Sequence, residues 1–150
     1  MKDNILVRPM AIADVDGVMA VEKDSFSTPW SRSAFEEELA QNRLARYIVA
    51  EEDGQVVGYA GMWLVINEAH VTNVAVSGSR RGEGIGRLLM ETLMKLAREN
   101  GMGSMTLEVR VSNMVARHLY ETLGFAEAGI RKNYYSETKE DALILWRDKL

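Results

Sequence analysis

The stretch that decides the fold runs from Val74 to Arg87 and reads VAVSGSRRGEGIGR. It begins as an apolar strand, passes through a segment rich in glycine and arginine, and ends in a long amphipathic helix that starts near Ile85. Glycines allow the backbone to turn sharply and to approach a ligand closely. The first turn of a helix leaves amide N–H groups without intrahelical partners, and the helix dipole adds partial positive charge there. The stretch therefore predicts a site for an anionic ligand such as a pyrophosphate.

Several interpretations of this junction compete. The simplest is a glycine-rich connection with solvated arginines. A Walker A loop is excluded, because no Lys-Ser or Lys-Thr pair follows the glycines. A dinucleotide-binding fingerprint would find a suitable later carboxylate in Glu108, but Gly82, Gly84 and Gly86 alternate and do not follow the G-x-G-x-x-G pattern. The remaining interpretation, a cradle for a coenzyme pyrophosphate, depends on the rest of the chain.

Outward from the junction, hydrophobic periodicity predicts the elements of the whole chain. Strands are predicted at residues 5–8, 47–50, 56–64, 69–76, 105–110, 125–130 and 142–146. Helices are predicted over apolar stripes that begin at Ile12, Phe35, Ile85 and Ala116; the third stripe consists of Ile85, Leu88, Leu89, Leu93, Leu96 and Ala97. The order β-α-α-β-β-β-α-β-α-β-β predicts an α/β (α+β) fold, a mixed sheet with helices on both faces.

Local signals mark the ends of these elements. Ser31, Ser33 and Asn113 are expected to cap helices through their side-chain oxygens. Gly101 and Gly124 follow the last two helical stripes and are expected to end them. The residues Glu52-Asp53-Gly54 predict the turn of a hairpin between the second and third strands.

Length and composition bound the class of protein. With 150 residues, of which 47% are hydrophobic and 27% charged, the chain is expected to form one domain over residues 1–150. No apolar run reaches the roughly 18 residues of a membrane span. No signal-like segment opens the chain, so a cytoplasmic protein without a membrane partner is expected.

The residue types argue against metal and nucleic-acid partners. Cysteine is absent, and the two histidines, His70 and His118, are isolated in the sequence, so no metal site is expected. The net charge of −4 argues against broad nucleic-acid binding, which requires many cations. A local basic cluster does exist at Arg80, Arg81 and Arg87, beside the glycines, and it favours a small anionic ligand.

The motif Arg81-x-x-Gly84-x-Gly86 at a helix N-terminus resembles the [Q/R]-x-x-G-x-[G/A] motif of GNAT acetyltransferases, which cradles the coenzyme A pyrophosphate. The element order is also that of the GNAT fold, whose mixed sheet is mostly antiparallel. Further segments resemble, in the same order, the RimI-type ribosomal-protein-alanine N-acetyltransferases. These segments are SFSTPWS (25–31), LEVR (107–110), SN (112–113), LYE (119–121), LGF (123–125), RKNYY (131–135) and EDA (140–142). The resemblance therefore covers most of the chain.

The resemblance implies acetyl-CoA as the cofactor and assigns residues to its binding. They are Val74, Ala75, Val76, Arg81, Gly82, Glu83, Gly84, Ile85, Gly86, Arg87 and Asn113. The backbone of residues 74–76 is expected to pair with the pantetheine as an added strand does. An amide there, that of Val74, is expected to stabilise the oxyanion, and a bulge in this strand would expose such groups.

The same resemblance assigns Glu108 as the general base and Tyr120 as the general acid. A peptide α-amino group has a pKa near 7.7–8.0 and needs a base at neutral pH, whereas a phenol is protonated there and can donate. The residue pattern leaves alternatives open. Glu108 also fits the polar face of a strand, Tyr120 also fits a helix core, and Glu68 and His70 are alternative bases.

The acceptor is expected to bind between two aromatic segments that are predicted as loops. Their candidate contact residues are Phe26, Trp30, Tyr134 and Tyr135, although packing at the ends of the sheet explains them equally well. The resemblance implies that the acceptor is the N-terminal alanine of a small-subunit ribosomal protein, the eighteenth, and a monomer or weak dimer is expected. The alternatives are acetylation of a small amine or of other protein N-termini, a non-catalytic coenzyme A adaptor, and a nicotinamide-dependent oxidoreductase.

Overall fold

The computed structural model describes residues 4–25, 30–135 and 139–150, with the backbone alone at 24 and 25. The strands are β1 (Ile5–Pro9), β2 (Ala45–Glu52), β3 (Gln55–Val65), β4 (Glu68–Val76), β5 (Ser104–Arg110), β6 (Ala126–Tyr135) and β7 (Glu140–Arg147). The helices are α1 (Val15–Ser25), α2 (Arg32–Gln41), α3 (Ile85–Glu99) and α4 (Met114–Thr122). This order along the chain confirms the predicted one.

One sheet contains all of these strands, in the order β1-β2-β3-β4-β5-β7-β6. β4 and β5 are parallel, because α3 carries the chain back across the sheet between them, and the other neighbouring pairs are antiparallel. The mixed, mostly antiparallel sheet is therefore confirmed. In the described part of the chain, none of the helices combines the length and the apolar character that crossing a membrane requires.

α3 covers one face of the sheet with an apolar stripe. Its buried residues are Ile85, Leu89, Met90, Leu93, Met94 and Ala97. The predicted stripe omitted both methionines and included Leu88 and Leu96, which are half-buried at its border. Gly58 on β3 permits the close approach, since a Cβ there would lie 3.2 Å from Leu89 Cδ1. Full burial of each leucine contributes about 1.5–3 kcal/mol.

α1 and α2 cover the opposite face and build a second cluster. Its buried residues are Met10, Val15, Val18, Val21, Phe35, Tyr47, Val49, Tyr59 and Ala75. Side chains alternate along a strand, so β2 directs Ile48 to the α3 side and Val49 to the α1 side. Helices on both faces are thereby confirmed. The first helix begins later than predicted, because Ile12 opens a short 3-10 turn and α1 starts at Val15.

The predicted ends of elements are confirmed except at Ser33, which lies in the first turn of α2 and does not cap it, because the helix begins at Arg32 with Ser31 as its N-cap. Ser31 Oγ accepts a hydrogen bond from the Ala34 N–H at 3.2 Å, and Asn113 Oδ1 accepts one from the Ala116 N–H at 3.1 Å. Asp53 and Gly54 turn the hairpin between β2 and β3 with φ values of 52° and 82°. Gly101 follows α3, and Gly124 follows α4, both at positive φ.

The strand β6 is longer than predicted. It continues beyond Ile130 to Tyr135, so the tyrosines of Tyr134-Tyr135 lie at the end of a strand and not in a loop. β7 supplies the pairing partners, although the register shifts between Arg131 and Tyr135. β6 is an edge strand that is exposed along nearly its whole length, and it therefore lacks the apolar alternation by which a strand is recognised.

Candidate active site

The site is located where β4 and β5 part in the middle of the sheet. Their pairing is limited to three residue pairs, which are Glu68 with Ser104, Ala69 with Met105 and His70 with Thr106. Beyond these residues β4 continues to Val76 alongside β3, and β5 continues to Arg110 alongside β7. Beyond this point the two strand edges face each other, and we call the gap between them the opening.

A bulge in β4 lies at this opening. Gly61 pairs with Asn73 and Met62 with Val71, which leaves Thr72 as an extra residue. The Ser77 N–H donates to the Val57 carbonyl at 2.8 Å. Because hydrogen-bonded and non-hydrogen-bonded pairs alternate in an antiparallel ladder, Ala75 directs its backbone groups to β3. Val74 and Val76 accordingly direct theirs to the opening, whereas Ala75, the third predicted backbone contact, does not.

The glycine junction stands at the end of β4. Gly82 and Gly84 adopt φ values of 82° and 85°, and Gly84 is the N-cap of α3. The bond from the Leu88 N–H to the Gly84 carbonyl, 3.1 Å long, opens the helical ladder, so the amides of residues 85–87 precede it. A Cβ on Gly86 would lie 3.8 Å from side chains of β4 and α4, which places these amides next to both elements.

The arginines near the junction differ in their roles. Arg80 forms ion pairs with Glu52 at 2.7 Å and with Glu83 at 3.0 Å. Because these two carboxylates balance its charge, Arg80 does not add to the basic cluster predicted at Arg80, Arg81 and Arg87. These hydrogen bonds also hold the pKa of both carboxyl groups below their usual range. Arg87 donates to Thr122 Oγ1 of α4 at 3.0 Å. The Ile85 side chain is buried in the core, so its backbone alone remains for ligand contact.

Glu108 lies on β5 at the edge of the opening. Its neighbours Leu107 and Val109 pack in the cluster of α3, so the Glu108 side chain lies on the opposite face, where α1 and α2 pack. Its carboxylate is 3.7 Å from the Arg131 guanidinium of β6, and 24% of the side chain is exposed. The predicted base is therefore within reach of solvent. Glu68 and His70, the alternative bases, lie where β4 and β5 are still paired.

Tyr120 lies on α4 and is buried in the cluster of α3, on the other face of the sheet from Glu108. Its ring centroid is 5.9 Å from that of Phe125. Burial, assisted by the neighbouring phenol of Tyr135, raises the pKa of Tyr120 to about 12. The hydroxyl therefore holds its proton at neutral pH, as a general acid must.

Tyr135 interacts electrostatically with both predicted catalytic residues, Glu108 and Tyr120. Burial and then the Tyr134 phenol raise its pKa to about 12, and the charge of Glu108 acts in the same direction. The Arg110 guanidinium lies 4.1 Å from the centroid of the Tyr135 ring, a cation–π contact. Tyr134 is 47% exposed, and its ring centroid is 5.1 Å from that of Tyr135. Of the predicted acceptor contacts, Tyr135 thus lies near Glu108, and Tyr134 packs against Tyr135.

The other predicted acceptor contacts are less defined. Trp30 packs against Phe35, with ring centroids 5.1 Å apart, and is half-buried against the cluster of α1 and α2. This is the packing role that the sequence left open for it. Phe26 lies outside the described residues.

Sequence reasoning assigned no role to three polar residues on the acceptor side. Arg131 contacts Glu108, and Asn73 lies on β4 between the bulge and Val74. Glu22 is 2% exposed in the middle of the α1 cluster. Its signal was present, since Glu22 occupies a position of the apolar stripe of α1 where a carboxylate needs buried partners.

Comparisons with known proteins agree with this geometry. A profile of the Acetyltransferase (GNAT) family matches residues 15–125. The chain is 42% identical to a Bacillus subtilis (strain 168) protein named as a proposed ribosomal protein bS18-alanine N-acetyltransferase, over 97% of each chain. It is 35% identical to the ribosomal protein bS18-alanine N-acetyltransferase of Escherichia coli (strain K12), over 93% of this chain and 94% of the other.

Solved structures agree as well. The crystal structure of the Escherichia coli ribosomal-protein-S18-alanine N-acetyltransferase superposes with a TM-score of 0.87 and 31% identity, over 97% of this chain and 95% of the other. That of Ard1 from Thermoplasma volcanium also has a TM-score of 0.87, with 27% identity over 98% and 99% of the two chains. The parted strands and the glycine junction agree with these matches. The chain belongs to the GNAT family and is an acetyl-CoA-dependent N-acetyltransferase.

Proposed function

We propose that this enzyme acetylates the α-amino group of a protein N-terminus, namely the N-terminal alanine of ribosomal protein bS18. The observation that carries the proposal is the division of Glu108 and Tyr120 between the two faces of the sheet, at the opening between β4 and β5. A base on one face and an acid on the other suit a transfer in which the amine and the thiol occupy opposite sides. The names of the relatives supply the acceptor.

The residues around the glycine junction fit coenzyme A. The amides of residues 85–87 and the positive φ of Gly82 and Gly84 suit a pyrophosphate that lies close to the backbone. The free backbone edge of Val74 and Val76 suits the amide-bearing pantetheine arm. The Oδ1 atom of Asn113 accepts the capping hydrogen bond of α4, so its amide nitrogen is the side-chain atom available to contact the coenzyme. The bound thioester supplies the activated acetyl group.

In the proposed mechanism each group of the chain moves or stabilises one charge. Glu108 takes a proton from the acceptor ammonium, either directly or through a water, and leaves the amine nucleophilic. The Val74 amide points into the opening and stabilises the negative charge that develops on the acetyl oxygen. Tyr120 donates its proton to the departing sulfur. The amide bond forms as the thioester bond breaks, and the nitrogen then loses its second proton. That proton replaces, by way of solvent, the one that Tyr120 gave to the sulfur, and Glu108 releases its proton to solvent.

The acceptor peptide is proposed to bind on the face of Glu108. Tyr134 and Tyr135 of β6 form one wall, and the segment that leads from Phe26 to Trp30 is proposed as the other. The sequence-based expectations of a single domain over residues 1–150, a monomer or weak dimer, and a cytoplasmic enzyme without metal, membrane or nucleic-acid partners complete the proposal.

The decisive experiment is mass spectrometry of acetylation products. Peptides that begin with Ala, Ser, Gly or Met are incubated with acetyl-CoA and the enzyme, beside a lysine-containing peptide with a blocked N-terminus and a polyamine. Acetylation of the Ala-initiated bS18 peptide at its α-amino group is the expected result. Acetylation confined to the lysine or the polyamine would transfer the assignment to a small-amine acetyltransferase, and binding without turnover would indicate an adaptor.

A further inference from the structure

A buried carboxylate lies behind the acceptor side of the site. Glu22 on α1 is 2% exposed, yet the proposed mechanism gives it no task. Its Oε2 atom accepts a hydrogen bond from the Trp30 N–H at 2.9 Å, and its Oε1 atom accepts one from the Tyr59 hydroxyl. A buried carboxylate is costly unless it is hydrogen-bonded, and both of its oxygens are. Glu22 therefore fixes the Tyr59 hydroxyl between α1 and the sheet.

The Tyr59 hydroxyl also lies near the side chain of Asn73 on β4. Burial, followed by the bond to Glu22, raises the pKa of Tyr59 above its usual range, while a hydrogen bond from the Asn73 side chain acts in the opposite direction. Because the Tyr59 hydroxyl gives its proton to Glu22, it can only accept from Asn73, and the group of Asn73 that can donate is its amide N–H. Its other end is unsatisfied, because Asn73 Oδ1 is buried and no group of the described residues donates to it. Such an acceptor atom is a departure from the usual pairing of buried polar groups.

The position of Asn73 gives this atom a function. Asn73 lies between the bulge at Thr72 and Val74, whose amide points into the opening. Its side chain lies on the same face as that of Ala75, which packs in the cluster of α1 and α2. Glu108 lies on this face too, across the opening on β5. Asn73 and Glu108 therefore flank the path of the incoming amine from two strands.

We propose that Asn73 Oδ1 binds the terminal amino group of the acceptor, and that Glu22 and Tyr59 are positioning residues that fix the orientation of the Asn73 amide. The inference rests on the proposed function. An amide oxygen accepts an N–H bond from either the ammonium or the amine, so Asn73 holds the nitrogen while Glu108 removes a proton. With its amide nitrogen committed to Tyr59, the side chain presents oxygen and not N–H to the acceptor.

The test compares Asn73→Ala with the wild-type enzyme on the Ala-initiated peptide. Loss of one hydrogen bond to a charged group predicts an increase of about 10- to 100-fold in the KM for the peptide. The KM for acetyl-CoA and the melting temperature are expected to change little. Thr106→Val is the matched control, since it removes another buried hydroxyl bond of the same sheet, to the Leu145 carbonyl at 2.9 Å, and should leave the peptide KM unchanged. If Asn73→Ala fails to fold, Asn73→Ser takes its place.

A double-mutant cycle separates positioning from general stability. Tyr59→Phe alone should raise the peptide KM severalfold, because Asn73 can then rotate its amide. In Asn73→Ala the same change should add little, since Tyr59 acts through Asn73. If the wild-type enzyme is active and the peptide KM of Asn73→Ala lies within twofold of its value, this inference is wrong but the proposed function stands. The same holds if the effects of Asn73→Ala and Tyr59→Phe simply add in the double variant. A wild-type enzyme that acetylates no peptide overturns the proposed function instead.

Discussion

At the scale of single residues, two side chains on opposite faces of the sheet are proposed to have distinct tasks. Glu108→Gln keeps the shape of the side chain but removes the base, so we expect kcat to fall by roughly 10²- to 10⁴-fold while the affinity for acetyl-CoA is preserved. Steady-state kinetics and calorimetric titration measure the two quantities. Glu68→Gln is the matched control, because Glu68 lies where β4 and β5 are still paired and should stay near wild-type activity. The reverse result would move the base to β4.

The acid is tested through the pH dependence of the rate. Tyr120→Phe preserves the ring in its buried site but removes the proton donor, and kcat should fall by about 10²-fold. An ordinary phenol is half ionised near pH 10, whereas the pKa of Tyr120 is raised to about 12. The acid therefore remains protonated in the wild-type enzyme as the pH rises through 10. A fall in rate centred below pH 10 that disappears in Tyr120→Phe would contradict the raised pKa, whereas an unchanged kcat in Tyr120→Phe would contradict the role as acid.

At the scale of elements, the glycine junction is tested by two glycines of the same conformation. Gly84 at the N-cap of α3 has a φ of 85°, and Gly54 in the hairpin turn between β2 and β3 has a φ of 82°. Alanine at either position incurs the strain of a left-handed residue, about 1–2 kcal/mol. Both variants should lose this stability in denaturant titrations, but Gly84→Ala alone should weaken acetyl-CoA binding, by about 10-fold. Equal acetyl-CoA affinities in the two variants would show that the glycine junction does not bind the cofactor.

The elements also show which features a sequence reveals. Ser31, Asn113 and Gly101 act through neighbours a few residues away, so their roles were readable from local patterns. The parting of β4 and β5 and the bulge at Thr72 depend on pairing between distant segments, so no local pattern encodes them. The sequence likewise gave no indication that the buried Asn73 Oδ1 would lack a hydrogen-bond partner among the described residues. The catalytic assignments came from resemblance, because alternation alone placed Glu108 on a polar face and no further.

At the scale of the whole molecule, ionisable phenols are built into both sides of the sheet. Tyr59 lies in the cluster of α1 and α2, and Tyr120 in that of α3. Burial is the largest cause of the raised pKa at both residues, and also at Tyr47 and Tyr135. Ionising Tyr47, Tyr59 or Tyr120 in the folded protein places a charge in an apolar core. The fold is therefore linked to their protonation.

This linkage predicts alkaline unfolding with a defined sign. A phenol whose folded pKa is raised contributes stability that is complete below the unfolded value near pH 10 and is lost as the pH rises through the folded value, about 12 for Tyr120. Each such phenol should reduce the free energy of unfolding by about 1.4 kcal/mol per pH unit in this window. Denaturant titrations between pH 8 and 11 measure the slope, and Tyr59→Phe, which lacks one buried phenol, should show a shallower one than the wild-type protein. Because lasting ionisation of the phenols in the two clusters requires unfolding, the tyrosinate absorbance of these residues should rise together with the loss of circular dichroism. Gradual ionisation of all the tyrosines in a protein that stays folded would show that water reaches these cores.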